Sequence, residues 1–146
     1  MSDVLNDVVP SWVDLRLKVD GAELVGFTSV SFGDKIEDEM VYGGGREPLG
    51  RTRGRYTTED GSLTVYEDTF VELVRRLGDG WGDKRFEIVE QITLGDGSIS
   101  TTVVESCRFK GGPGGASEGT SAITRELPFS FMRIKRNGIY LITQKR

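Results

Sequence analysis

The stretch "WVDLRLKVDGAELVGFTSVSF", residues 12–32, sets the first clear period in the chain. Val13, Leu15, Leu17 and Val19 alternate with Asp14, Arg16 and Lys18, as in a strand with one face on a core and the other in water. Asp20-Gly21 follows, a pair suited to the positive φ angles of a two-residue hairpin turn. Residues 23–32 then read as the returning strand, with Gly26 at a bulge. A strand, a tight turn and a second strand predict antiparallel β-structure.

The same grammar continues along the chain. "DKIEDEMVY" (34–42) is a third extended candidate, and strand character resumes around Leu63 and Val65. Glu59-Asp60-Gly61, just before them, reads as a turn. "EDTFVELVRRLG" (67–78) has a different period. Phe70, Leu73, Val74 and Leu77 fall at i, i+3, i+4 and i+7, an apolar helical stripe. Its start is marked by Asp68 as N-cap, or by Thr69 and Glu72 at capping-box spacing. Arg75 and Arg76 suit the negative end of the helix dipole, and Gly78 closes it.

"KRFEIVEQITL" (84–94) is a strand with Phe86, Ile88, Ile92 and Leu94 on one face, interrupted by Glu90. Gly95-Asp96-Gly97 turns it into "SISTTVVESCRF" (98–109). The C-terminal part gives a strand, an Asn137-Gly138 turn and an apolar strand over 139–142; Pro128 restricts its own strand to an edge or a bulge. There is no internal repeat and no dividing linker. The prediction is a single domain, 1–146, mainly β: an antiparallel sandwich or barrel of seven or eight strands with one packed α-helix.

Composition narrows the function. At 146 residues, 36% hydrophobic and 29% charged, the chain can fold around one core. With no histidine, it has no histidine triad, no histidine base and none of the usual zinc sites. Cys107 is the only cysteine, so no intrachain disulfide forms and a reducing compartment is expected. No secretory leader is read at the start, and no apolar run reaches the ~20 residues of a membrane helix. A soluble, cytoplasm-made protein is expected, with no membrane partner.

Two glycine-rich segments are read as open loops, about 43–55 and about 110–121. The first lies within "YGGGREPLGRTRGRY" (42–56), where Arg46, Arg51, Arg53 and Arg55 sit among glycines although the net charge is −4. It lacks the Gly-Lys-Ser/Thr of a P-loop and the strand–turn–helix setting of a dinucleotide fold. An arginine-glycine arm for nucleic-acid phosphate is one reading. Pairing with carboxylates of a neighbouring subunit is another, with Asp34, Glu37, Asp38 and Glu39 as candidates. Glu37/Glu39 and Glu59/Asp60 are paired carboxylates of the kind acid–base chemistry uses, but both suit solvated faces or turns better. Ser106-Cys107 has no nucleophile-elbow pattern, and Cys107 is expected in the core. No catalytic, cofactor-binding or metal site is nominated, and an enzyme is not expected.

The run from Tyr42 to Gly78 resembles the tail tube proteins of contractile-tailed bacteriophages, which have a Tyr-Gly-x-Gly-Arg-x-Pro-x-Gly-Arg-x-Arg-Gly stretch followed by a strand and a helix. The matching positions are Tyr42, Gly43, Gly45, Arg46, Pro48, Gly50, Arg51, Arg53 and Gly54, then Gly61 to Thr64 and Asp68 to Leu77. The resemblance implies a structural virion protein: homohexameric rings stacked into the inner tail tube, within a sheath, with a baseplate and a tape measure protein as partners. DNA would pass through without specific binding, and assembly would occur in the host cytoplasm. The inter-subunit contact candidates are Arg46, Arg51, Arg53, Arg55, Asp34 and Asp38. The lumen-lining candidates are Glu37, Glu39 and Glu87, whose carboxylates would repel DNA phosphates. The alternatives are a tube-initiator or baseplate ring of the same fold, or a nucleic-acid-binding module.

Overall fold

The computed structural model describes residues 9–112, 114–115, 118–119 and 121–142. In chain order the strands are β1 (Leu15–Val19), β2 (Ala22–Leu24), β3 (Phe27–Glu37), β4 (Met40–Val41), β5 (Gly50–Arg51) and β6 (Arg55–Tyr66). Helix α1 (Glu67–Leu77) follows, then β7 (Phe86–Thr93), β8 (Ile99–Phe109), β9 (Thr124–Ser130), β10 (Arg133–Arg136) and β11 (Ile139–Tyr140). Every pairing is antiparallel, and the order is β2-β1-β7-β8-β9-β6-β3, with β10 also against β8 and β11 against β10. The mainly-β, one-helix prediction matches this architecture.

The sheet folds on itself because β8 belongs to both halves. Up to Cys107 it lies between β7 and β10; its last residues, Arg108 and Phe109, pair instead with β9. The corner is a bulge at Ser106, whose φ of 56° lies in a region that non-glycine residues rarely visit. One layer then supplies Leu17, Val19, Ile88, Val104 and Ile134 to the core; the other supplies Leu63, Val65, Leu127 and Phe129, all at 0% exposure. Helix α1 adds Leu73 and Leu77 from its apolar stripe, while Phe70 and Val74 are half-buried.

Both two-residue turns form as expected: Asp20-Gly21 has φ of 55° and 80°, and Asn137-Gly138 has 52° and 84°. Cys107 is fully buried, its thiol pushed up to about 12, chiefly by burial.

Several expectations need correction. Val13 is not on the buried face: Trp12–Asp14 forms a single 3-10 turn, which lays Trp12 against Phe27 with ring centroids 5.1 Å apart and leaves Val13 87% exposed. Gly26 is not a bulge within one strand. At φ 79° it separates β2 from β3, which pair in different layers. The cap of α1 is Tyr66; Asp68 and Thr69 lie inside the helix, where the Thr69 hydroxyl donates to the Val25 carbonyl at 3.0 Å.

Glu59-Asp60-Gly61 is not a turn but the middle of β6, opposite a register shift in β3. Gly61 is needed there for close approach, because a Cβ would lie 2.4 Å from Phe129 Cζ and 2.5 Å from the Ser31 carbonyl oxygen. Pro128 lies on a locally open side: β9 pairs with β8 only at Phe129 and Ser130, and the Pro128 carbonyl accepts from Lys110 N. The last apolar strand covers only Ile139–Tyr140. The part of 110–121 at residues 113, 116, 117 and 120 lies outside the described residues.

Candidate subunit interface

The segment expected as an open loop is the end of a long hairpin. β3 and β6 pair from Phe27↔Val65 out to Glu37↔Arg55, and the ladder resumes at Met40↔Arg51 and Val41↔Gly50. Between these stretches Thr52 N donates to the Glu39 carbonyl (2.8 Å) and Glu39 N to Thr52 Oγ1 (2.9 Å); at the tip end of the resumed ladder Leu49 N donates to the Val41 carbonyl (2.7 Å). The open part shrinks to residues 42–49, a tip in which Leu49 folds over Gly43.

The base of this hairpin is clamped to the body. Tyr56 donates its hydroxyl to Asp34 Oδ2 at 2.6 Å, Arg136 approaches Asp34 Oδ1 at 3.4 Å, and Thr58 Oγ1 donates to the Phe131 carbonyl. Burial and then the Asp34 contact push the Tyr56 hydroxyl up to about 12. Past Ile36 every residue is exposed as far as Arg55. Ile36 to Tyr42 is six steps, so the free part reaches about 20 Å at the usual strand rise. The arm is exposed to solvent along its whole length.

The arm divides by charge. Its outgoing strand ends in Glu37, Asp38 and Glu39; its returning strand carries Arg51, Arg53 and Arg55, with Arg46 and Glu47 at the tip. Lys35 bridges Glu37 and Glu59, each at 3.4 Å. Arg46, Arg51, Arg53 and Arg55 make no side-chain ion pair or hydrogen bond among the described residues, and Asp38 and Glu39 have no side-chain partner either. Asp34 is the exception among the contact candidates. Its side chain is 3% exposed and is already held by Tyr56 and Arg136 of its own chain.

The lumen candidates do not come together. Glu37 and Glu39 belong to the arm. Glu87 points outward from β7 between buried Phe86 and Ile88. The register places it on the same outer face as Arg16 and Lys18 of β1 and Lys135 of β10, a mixed field rather than an acidic one.

Sequence reading missed the apolar character of the arm's end. Met40, Val41, Tyr42 and Leu49 are 47–78% exposed, a run of large apolar side chains with nothing of their own chain to cover them. "MVY" directly before the glycines was the available signal. Among the described residues, no group of three or more His, Cys, Asp or Glu could hold a metal, and no helix is long and apolar enough to cross a membrane.

An antiparallel β-domain folded on itself, with one flanking helix, is the tail-tube type of fold seen in components of contractile injection systems. Several solved structures carry that likeness. A sheath/tube terminator of an extracellular contractile injection system (PVC, extended state) superposes with a TM-score of 0.67 at 12% identity, covering 91% of this chain and 99% of that one. The tube-terminating cap of the anti-feeding prophage gives 0.64 at 11%, covering 92% and 95%. The PVC sheath–tube complex gives 0.59 at 12%, covering 90% and 93%. No family model matches the sequence, and no curated protein does.

Proposed function

We propose that this chain is a structural subunit of a contractile injection particle, assembling with copies of itself into a ring of the tail-tube type. The observation that carries the reading is the arm. An exposed hairpin with an acidic strand, a basic strand and an apolar tip has no role in holding its own domain together. Unpaired arginine forks match carboxylates across a joint, and bare apolar tips mark surfaces that become covered.

Six copies to a ring, rings stacked within a sheath and seated on a baseplate, and a phage tail as the host particle form the finer version of this proposal. DNA would pass without specific binding. Glu37, Glu39 and Glu87 stand on two surfaces, so the set divides between channel wall and joint. A terminal ring that closes a tube is a second reading. It is favoured by the higher superposition scores of the terminator and the cap over the sheath–tube complex.

Negative-stain microscopy of the purified protein, paired with sedimentation velocity, tests these readings. Long hollow rods support a tube subunit, and single rings support a terminal or initiating ring. A protein that stays monomeric at all concentrations overturns both. A salt-sensitive gel shift with DNA in a monomeric protein would favour the nucleic-acid module instead.

A further inference from the structure

A second apolar feature, half-buried, lies away from the arm. One face of α1 and the turn after it enclose an open groove of about 430 Å³ lined by Phe70, Val71, Val74, Arg75, Trp81 and Gly112. Trp81 forms its wall, with its ring edge-on to Phe70 (centroids 6.0 Å apart, 77°) and tilted against Phe109 at 5.6 Å. Gly112 lets that indole lie flat: a Cβ there would come within 2.9 Å of Trp81 Cζ2.

Acidic residues lie close to the lining along the chain. Asp79 and Asp83 flank Trp81 in its turn, and Asp68 lies one helical turn before Val71 on the same face. None of the three has a side-chain partner among the described residues, and Arg75 is the one cation in the lining. The arm tip offers the complement: exposed Leu49 and Tyr42 beside Arg46 and Arg51.

Geometry decides whose arm it is. The arm leaves β6 at Arg55, and α1 begins directly after Tyr66 at the other end of the same twelve-residue strand. The two ends lie about 36 Å apart, and the clamped base directs the arm outward. A chain cannot place its own tip in its own groove. A second copy can.

We propose that the helix groove is the receptor for the arm tip of a neighbouring copy: Leu49 and Tyr42 enter between Val71, Val74 and Trp81, while Arg46 and Arg51 face Asp68, Asp79 and Asp83. The contact is heterologous, the kind that closes into rings or runs on as a stack. It deepens the ring-forming reading and rests on it.

The test is disulfide trapping in assembled protein. Leu49→Cys with Val71→Cys, oxidised with diamide, is expected to convert most of the monomer band into a ladder of multimers on a non-reducing gel. Leu49→Cys with Met132→Cys, an exposed control elsewhere on the domain, is expected to leave the monomer band intact. Native Cys107 is fully buried and stays out of the reaction. Rings or tubes that form without a 49–71 ladder, or with equal ladders from both pairs, overturn the groove assignment while leaving the ring reading standing. A wild-type protein that never assembles overturns both. Hydroxyl-radical footprinting of unmodified protein covers the case in which the cysteine variants misfold. Trp81 and Leu49 are expected to lose reactivity together on self-assembly. Continued exposure of either one, or protection of Trp81 only when another particle protein is added, refutes a second copy as the occupant.

Discussion

Gly54→Ala separates the arm from the body more sharply than any arginine substitution. Gly54 has φ 83°, and a Cβ there would lie 2.7 Å from Ile36 Cγ2, 2.9 Å from the Glu37 carbonyl oxygen and 3.0 Å from Asp38 Cβ. A left-handed backbone costs a non-glycine residue about 1–2 kcal/mol, and forced close contact adds about 1–3 kcal/mol, so the strain totals roughly 2–5 kcal/mol. Against it stand the hydrogen bonds that close the distal arm: those from Thr52 N, Glu39 N and Leu49 N, and the short ladder between β4 and β5. In water each contributes near the low end of the usual net range, about 0.5 kcal/mol, or roughly 2–2.5 kcal/mol together.

The strain matches or exceeds what closes the arm, so the arm opens. Because the open arm uncovers no core residue, the loss in global stability is capped near the same ~2.5 kcal/mol, about 8 °C in Tm for a domain of this size. Hydrogen exchange read by mass spectrometry should show peptides over residues 38–52 losing protection while those over β7 and β8 stay protected, and assembly should fail. Unchanged exchange in the arm, or a Tm drop well beyond that cap, would refute the reasoning.

Arg51→Ala combined with Arg53→Ala should leave stability within about 0.5 kcal/mol, as exposed substitutions do, yet impair ring or tube formation by sedimentation. Unchanged assembly would remove the arm's proposed role. Leu73→Ala, at a site 3% exposed, should cost about 2–5 kcal/mol in a denaturant melt. Glu90→Gln should raise Tm at neutral pH. Burial lifts the Glu90 carboxyl above its ordinary value, only partly offset by Arg136, so the protonated form suits the fold and ionisation weakens it as pH rises through the folded pKa. That advantage should vanish below the ordinary carboxylate range, and a gain that persists in acid would contradict the assignment. Cys107 should resist iodoacetamide at pH 8 in the folded protein and react on unfolding, as a fully buried thiol pushed up to about 12 must.

Local chemistry made much of the fold legible. The Asp20-Gly21 and Asn137-Gly138 turns declare themselves because their positive φ angles depend on the residues that adopt them. The helix stripe is equally plain, since one period places Leu73 and Leu77 on the core. The failures are tertiary. Glu59-Asp60-Gly61 has turn composition, yet its glycine serves the ring of Phe129, far away in sequence. Val13 fits the alternation but leaves it because Trp12 finds Phe27. In the candidate site, the arginines were visible as a cluster while the groove was not. Val71, Trp81 and Gly112 meet only after the helix, its following turn and the end of β8 have been brought together.

Because the arm starts at one end of β6 and the helix groove lies at the other, head-to-tail joining gives every copy a donor side and an acceptor side. Where such joining runs on instead of closing, the filament has polarity: bare hairpins protrude at one terminus and vacant sockets at the opposite one. Elongation and arrest then fall to different surfaces. A stopper made from this same fold would need to alter only one of its two faces to halt the series.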